Sequence, residues 1–380
     1  MDGIGTIEKD RVMEKPVKLK ESDFNLSNDF VIIIHGMGTH ENGATKNEVK
    51  DALNVAAKGM GIENFDFSKS LNLVEFNYSE FFDQLRKKDG SHGDSLVTHI
   101  QFLRGHGLGA KLASKLINTL SGFDEDKAFY THWMDVLYYG ETYWGEKVRV
   151  DLAYLLIQIL KIANKHARKV HVVAHSLGTA VLHDTLAELY DPDEPLRRDI
   201  PNLPTNLLAL DSIYQLANVS RLVHLLSEVD DPNRSIVNSD GSAACHLLYS
   251  VRNAYDPFTW CKTYKRPTVN GGLLRLGTVR KINTHDLTEY VLAPAVARSM
   301  LGTICQELIY DDAYEAYVAE HAKSSITDKF DELKETFEQL KLTAFELEDA
   351  TITDKVKALK VFFNVANEFK KLAESIKETE

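Results

Sequence analysis

Cysteine is scarce in this chain: Cys245, Cys261 and Cys305 are the only three among 380 residues. So sparse and odd a count excludes a disulfide-stapled scaffold and fits reduced thiols in a cytoplasmic compartment, although a removed leader or an unconventional export route would leave the same trace. No CxxC pair is present, and the three thiols read as buried apolar fillers. Basic residues are in deficit, 44 Lys and Arg against 56 Asp and Glu, for a formal net charge of −12. That balance argues against nucleic acid and against an anionic membrane surface as partners. No apolar run approaches the roughly 18 residues that a membrane helix needs. The opening segment MDGIGTIEKDRVMEKPVKLK lacks an apolar stretch, so no secretory signal is expected. Internal repeats and low-complexity tracts are also missing.

What remains is an ordinary globular composition, 44% hydrophobic and 26% charged, long enough for one large domain or two smaller ones. Residues 1–28 are polar and read as a loosely ordered arm. The run Val31 to Ile34 is short, β-branched and apolar, as a strand buried on both faces requires. A helix is expected at 46–60, strands at 71–78, 206–211, 246–251 and 278–282, and a strand followed by a sharp turn over 170–178. Helices are expected at 145–166 and 180–190, with another from Asp286 to Leu301. Strands alternating with helices indicate an α/β fold with a largely parallel sheet flanked by helices.

Residues 79–145 differ in texture. They mix charge and glycine with Phe81, Phe82, Tyr130, Trp133, Tyr138, Tyr139, Tyr143 and Trp144, and read as a helical insertion. From about residue 321 the chain changes again. Ile326, Phe330, Leu333, Phe337 and Leu340 follow the 4-3-4-3 spacing of one helical seam, and Val356, Leu359, Phe363, Ala366 and Phe369 form a second. The tail 321–380 is therefore expected to be helical. It would fold back on its own domain, self-associate or receive a partner helix, because exposed seams need cover.

The chemistry-bearing signal is Ala174-His175-Ser176-Leu177-Gly178, between an expected strand and an expected helix. A serine on so tight a turn projects its hydroxyl above the sheet, and only small residues fit two before and two after it. Ala174 and Gly178 supply them. Far upstream, His35-Gly36-Met37-Gly38 follows the buried strand directly.

These two motifs resemble those of the α/β-hydrolase superfamily, nearest to its lipase and serine-esterase branches, and the likeness extends over about residues 28–310 by element order. The resemblance implies a hydrolase domain over 29–320, with residues 79–145 as its cap. It implies Ser176 as nucleophile and the backbone amides of Met37 and Leu177 as the two oxyanion donors. It also implies the partner order Ser, acid, His. Among downstream histidines, His183 lies on the helix after the turn and His246 opens a strand. His285 follows a strand and precedes a helix, at the sheet end where catalytic groups gather, and is the expected general base and acid. Asp256, just after strand 246–251, is the expected acid, and Asp211, at the end of strand 206–211, is the alternative. His35 reads as a partner of the oxyanion loop. Tyr78 and Phe81 are the expected substrate contacts, with a small-molecule or lipid ester as substrate.

Carboxylic-ester hydrolysis through an acyl-enzyme is thus the expected activity, with no cofactor and no metal. A thioesterase, an acyltransferase or a serine peptidase would use the same apparatus. A catalytically silent scaffold acting through the C-terminal helices would keep the fold without the chemistry. Gly105-His106-Gly107-Leu108-Gly109 lacks the preceding strand that a phosphate loop needs. His92, His99 and His106 show no zinc spacing.

Overall fold

The computed structural model describes residues 18–89, 135–136, 138–140, 144–190, 209–224, 244–259, 270–331 and 371. Most of the 79–145 insertion, Cys261, His92, His99, the 105–109 glycines and the seams beyond residue 331 lie outside them.

Among the described residues six strands form one sheet: β1 (Asp29–Ile34), β2 (Leu71–Phe76), β3 (Val170–His175), β4 (Leu210–Leu216), β5 (Cys245–Asn253) and β6 (Gly271–Leu276). Their order is β2-β1-β3-β4-β5-β6, and every neighbouring pair is parallel. Period-two alternation splits the apolar run of β1 between two cores. Phe30, Ile32 and Ile34 pack on one face, against α4 (Trp144–Lys165) and α5 (Leu177–Tyr190). Val31 and Ile33 pack on the other, against α1 (Ala44–Gly59), α7 (Leu287–Leu292) and α8 (Pro294–Thr303). The remaining described helices are α2 (Phe67–Ser70), α3 (Ser79–Asp89), α6 (Ser220–His224), α9 (Asp311–Lys323) and α10 (Thr327–Asp331). None is long and apolar enough to cross a membrane.

The chain leaves β1 toward β2 and then returns to place β3 on the other side of β1. Such a reversal marks the carboxyl ends of β1 and β3 as the place where open α/β sheets bind ligands. The two motif loops, His35–Gly38 and Ser176–Gly178, both emerge there.

Several boundaries differ from the sequence-based expectation. The last strand is Gly271–Leu276 rather than 278–282. Val279 instead engages the start of the tail: its N–H donates to Thr327 Oγ1 (2.9 Å) and its carbonyl accepts from Ile326 N–H (2.8 Å). The expected start of the tail at 321 falls inside α9, and Phe330, fully buried, packs edge-on to Tyr255 at 5.7 Å. The 286–301 helix is two helices, broken at Pro294, whose ring cannot continue the first. Residues 18–28 are not a loose arm: Leu19, Phe24 and Leu26 pack against the core, and Leu19 N–H donates to Gln158 Oε1 (2.9 Å). Likewise Phe82, Tyr138 and Tyr139, read as part of the insertion, are core side chains.

One strand-to-helix tie escapes any pattern reading. Glu75 on β2 accepts the N–H groups of Gly43 and Thr45, capping the N-terminus of α1, which has no side-chain cap of its own. Glu75→Ala orphans both donors and should cost about 1–3 kcal/mol, read as a lower urea midpoint at unchanged slope.

Candidate active site

The site is assembled from four loops at the carboxyl ends of β1, β3, β5 and β6. Ser176, directly after β3, has φ +52, a conformation unfavourable for a side chain with a Cβ. The surroundings impose it. A Cβ on Gly178 would sit 2.4 Å from the carbonyl oxygen of His35, and a Cβ on Gly36 would sit 2.8 Å from the Cβ of Ser176. The two motif loops therefore touch backbone to backbone, and neither glycine can carry a side chain without moving one of them.

Ser176 Oγ and His285 Nε2 are 2.7 Å apart, and His285 Nδ1 lies 2.7 Å from Asp256 Oδ2. Asp256 is fully buried. Its other carboxylate oxygen accepts Phe258 N–H (3.0 Å), and Oδ2 also accepts the hydroxyl of Tyr290 (2.7 Å). Three donors offset the burial of one carboxylate. With Nδ1–H of His285 directed to Asp256, Nε2 is left to take the proton of Ser176. The arrangement can thus generate an alkoxide-like nucleophile. Against expectation, Ser176 is only 1% exposed, because the His35–Gly38 loop and the His285 ring close over it.

Asp211 is not brought to this site. The strand that carries it begins at Leu210, so Asp211 lies at the amino end of β4, and its Oδ2 accepts the N–H of Val170 at the start of β3 (2.8 Å). It is at the opposite edge of the sheet from Ser176.

The loop after β1 is braced from several directions. His35 donates from Nδ1 to Gly36 O (2.7 Å) and accepts at Nε2 from Tyr78 N–H (2.9 Å). The Tyr78 hydroxyl donates to the carbonyls of His35 (3.1 Å) and Gly36 (3.0 Å), and Gly38 N–H donates to Asp135 Oδ2 (2.7 Å). Tyr78 is thus a buried loop brace rather than a surface for ligands. Phe81 is half-buried, beneath the Lys147 ammonium at 5.2 Å. Among the described residues no hydrogen bond engages the N–H of Met37 or Leu177, so both amides are free to act as donors.

His175, Tyr290, Asp135 and Phe258 were not singled out in the sequence. His175 stands next to the serine, and its Nε2–H donates to the carbonyl of His285 (3.0 Å). A histidine inside the motif was the available signal, and its partner, over a hundred residues away, was not. No cluster of three metal-ligating side chains occurs among the described residues. No family model matches the chain, and no curated protein or solved structure matches it.

Burial keeps several histidines neutral. It lowers His35 to about 3 and His171 to about 4, and holds His175 well below its ordinary value. The folded state therefore binds fewer protons than the unfolded chain once pH drops below the ordinary histidine value near 6.5. Stability should be full above about pH 6.5 and decline as pH falls toward 4, by up to about 1.4 kcal/mol per pH unit for each such histidine. Urea unfolding between pH 7.5 and 4 checks this; a flat profile would contradict it. Separately, Gly178→Ala should lower the thermal midpoint by several degrees, since its Cβ would meet the His35 carbonyl.

Proposed function

We propose that this chain is a serine hydrolase of the α/β-hydrolase superfamily that cleaves carboxylic esters. The observation that carries the reading is the continuous relay from Ser176 Oγ through His285 to buried Asp256, with 2.7 Å at each step. Three further features support it. The serine follows β3, the acid follows β5 and the imidazole follows β6, in the chain order Ser, acid, His. Ser176 holds a positive φ of +52, as a serine raised on a tight strand-to-helix turn requires. The amides of Leu177, next to the serine, and of Met37, next to the Gly36 that abuts it, have no partners among the described residues.

In the proposed reaction Ser176 Oγ attacks the ester carbonyl while its proton passes to His285 Nε2. The carbonyl oxygen becomes an oxyanion held by Met37 N–H and Leu177 N–H. His285 then protonates the departing alkoxide, leaving an acyl group on Ser176. A water deprotonated by His285 releases the acid and restores the serine. Asp256 holds the Nδ1–H tautomer and stabilises the imidazolium. The substrate class is a small-molecule or lipid ester, and the sparse thiols, with Cys245 buried, fit a reducing compartment.

A fluorophosphonate probe should label the wild-type chain at Ser176, located by mass spectrometry of the modified peptide. Ser176→Ala should abolish labelling, and Asp256→Asn should lower ester turnover by about 10⁴ through loss of the correct tautomer. Labelling that survives Ser176→Ala would reject the reading. Tyr78→Phe removes a donor from the Gly36 carbonyl, the far end of the peptide that carries Met37 N–H. It should lower kcat about tenfold with KM nearly unchanged, whereas a substrate-contact role would raise KM.

A further inference from the structure

We infer that His175 is a positioning residue that latches the loop of His285 to the strand of the nucleophile. The inference rests on the proposed hydrolase reading. The loop 283–286 is held on one side by Thr284, whose hydroxyl donates to the carbonyl of Tyr255 (2.9 Å) in the acid loop. On the other side the His285 carbonyl accepts the Nε2–H of His175 (3.0 Å). His175 is the last residue of β3 and is paired in register with Leu216, so its backbone belongs to the rigid centre of the sheet. Its ring is confined. It lies 5.1 Å from the His285 ring and 6.2 Å from the Tyr290 ring, and a Cβ on Gly36 would approach its Nδ1 to 3.0 Å. One imidazole thus spaces three things: the oxyanion loop, the base, and the tyrosine that donates to the acid.

The chemistry requires this donor to be neutral. The partner of Nε2 is a carbonyl oxygen, so Nε2 carries the ring proton. A charged donor there would oppose the imidazolium that His285 becomes. Burial, reinforced by the neighbouring His285, His40 and His35, keeps His175 uncharged. The latch therefore fixes the His285 main chain without adding charge beside the ring. Ser176 and His285 are joined by one rotatable side chain each, and an error of about 1 Å between them is worth about 10²-fold in rate.

Side-chain reach gives the test. The amide nitrogen of glutamine lies where histidine places Nε2, whereas that of asparagine falls short. His175→Phe keeps a ring and loses the donor. Second-order labelling rates with a fluorophosphonate, and kcat and KM for p-nitrophenyl butyrate, would be measured for wild type, His175→Phe, His175→Asn and His175→Gln. The expected result is a loss of about 10- to 100-fold in labelling and kcat for Phe and Asn at nearly constant KM, with Gln restored to within about threefold. The downfield proton resonance of the His285–Asp256 bond should shift in Phe and Asn and return in Gln. Equal rates for all four proteins would overturn the latch. So would equal losses in all three variants with matching falls in thermal midpoint, which would assign His175 to packing alone. If the wild type itself neither labels nor turns over ester, the hydrolase reading fails, and the latch with it.

Discussion

The constraint on which the site depends is the backbone contact between the loop after β1 and the turn after β3. Gly36 and Gly178 face, respectively, the Cβ of Ser176 and the carbonyl of His35, with no room for a methyl group at either position. Everything at the site follows from that approach. It sets Gly36 against Ser176 and Gly178 against the His35 carbonyl, and Ser176 there holds a positive φ. The strain is sustained because both flanking strands are buried on both faces: Phe30 to Ile34 and Val170 to His175 are all core residues. The turn is fixed by the two cores on either side of the sheet.

Around that contact lies a layer of buried polar groups whose protons are assigned by their partners. His35 donates from Nδ1, because its Nε2 accepts from the N–H of Tyr78. His175 donates from Nε2, because its partner there is a carbonyl. His285 is directed by Asp256 at Nδ1 and faces Ser176 at Nε2. Three neighbouring histidines thus hold two tautomers, Nδ1–H in His35 and His285 and Nε2–H in His175, set by hydrogen bonds rather than by residue type. In a dry site each assignment is stiff, since leaving any of these groups unpaired costs about 1–3 kcal/mol.

The sheet and the motif loops were legible because they are written locally. A β-branched run, small residues flanking a serine, and glycines after a strand all lie within a few residues of what they specify. The boundaries were less legible where tertiary partners decide them. Residues 278–282 have strand propensity, yet Val279 spends its backbone groups on the 326–327 segment, and the strand forms at Gly271–Leu276. Asp211 reads as a strand-end acid only when its strand is placed at 206–211, whereas the strand runs Leu210–Leu216. In a parallel sheet all carboxyl ends share one edge, so a shift of a few residues moves a side chain to the far edge. Tyr78 looked like a pocket aromatic because its hydroxyl's partners, the carbonyls of His35 and Gly36, are some forty residues away.

The segment 285–290 shows how closely Asp256 and His285 are coupled. His285 contacts Asp256 directly, and Asp286 caps α7 through Glu289 N–H. That cap fixes the first turn of the helix, which returns Tyr290 to the same Asp256 oxygen that receives His285. Tyr290 in turn accepts Asn253 N–H at the end of β5, anchoring it to the strand that leads to Asp256. The carboxylate is therefore gripped from both ends of one short stretch, and α7 cannot shift without moving His285 and Asp256 together. On the proposed reading this is the reason the imidazole needs a separate hold on the nucleophile's side. The acid and the base travel as one body, and the side chain of His175 ties that body to the strand of the serine.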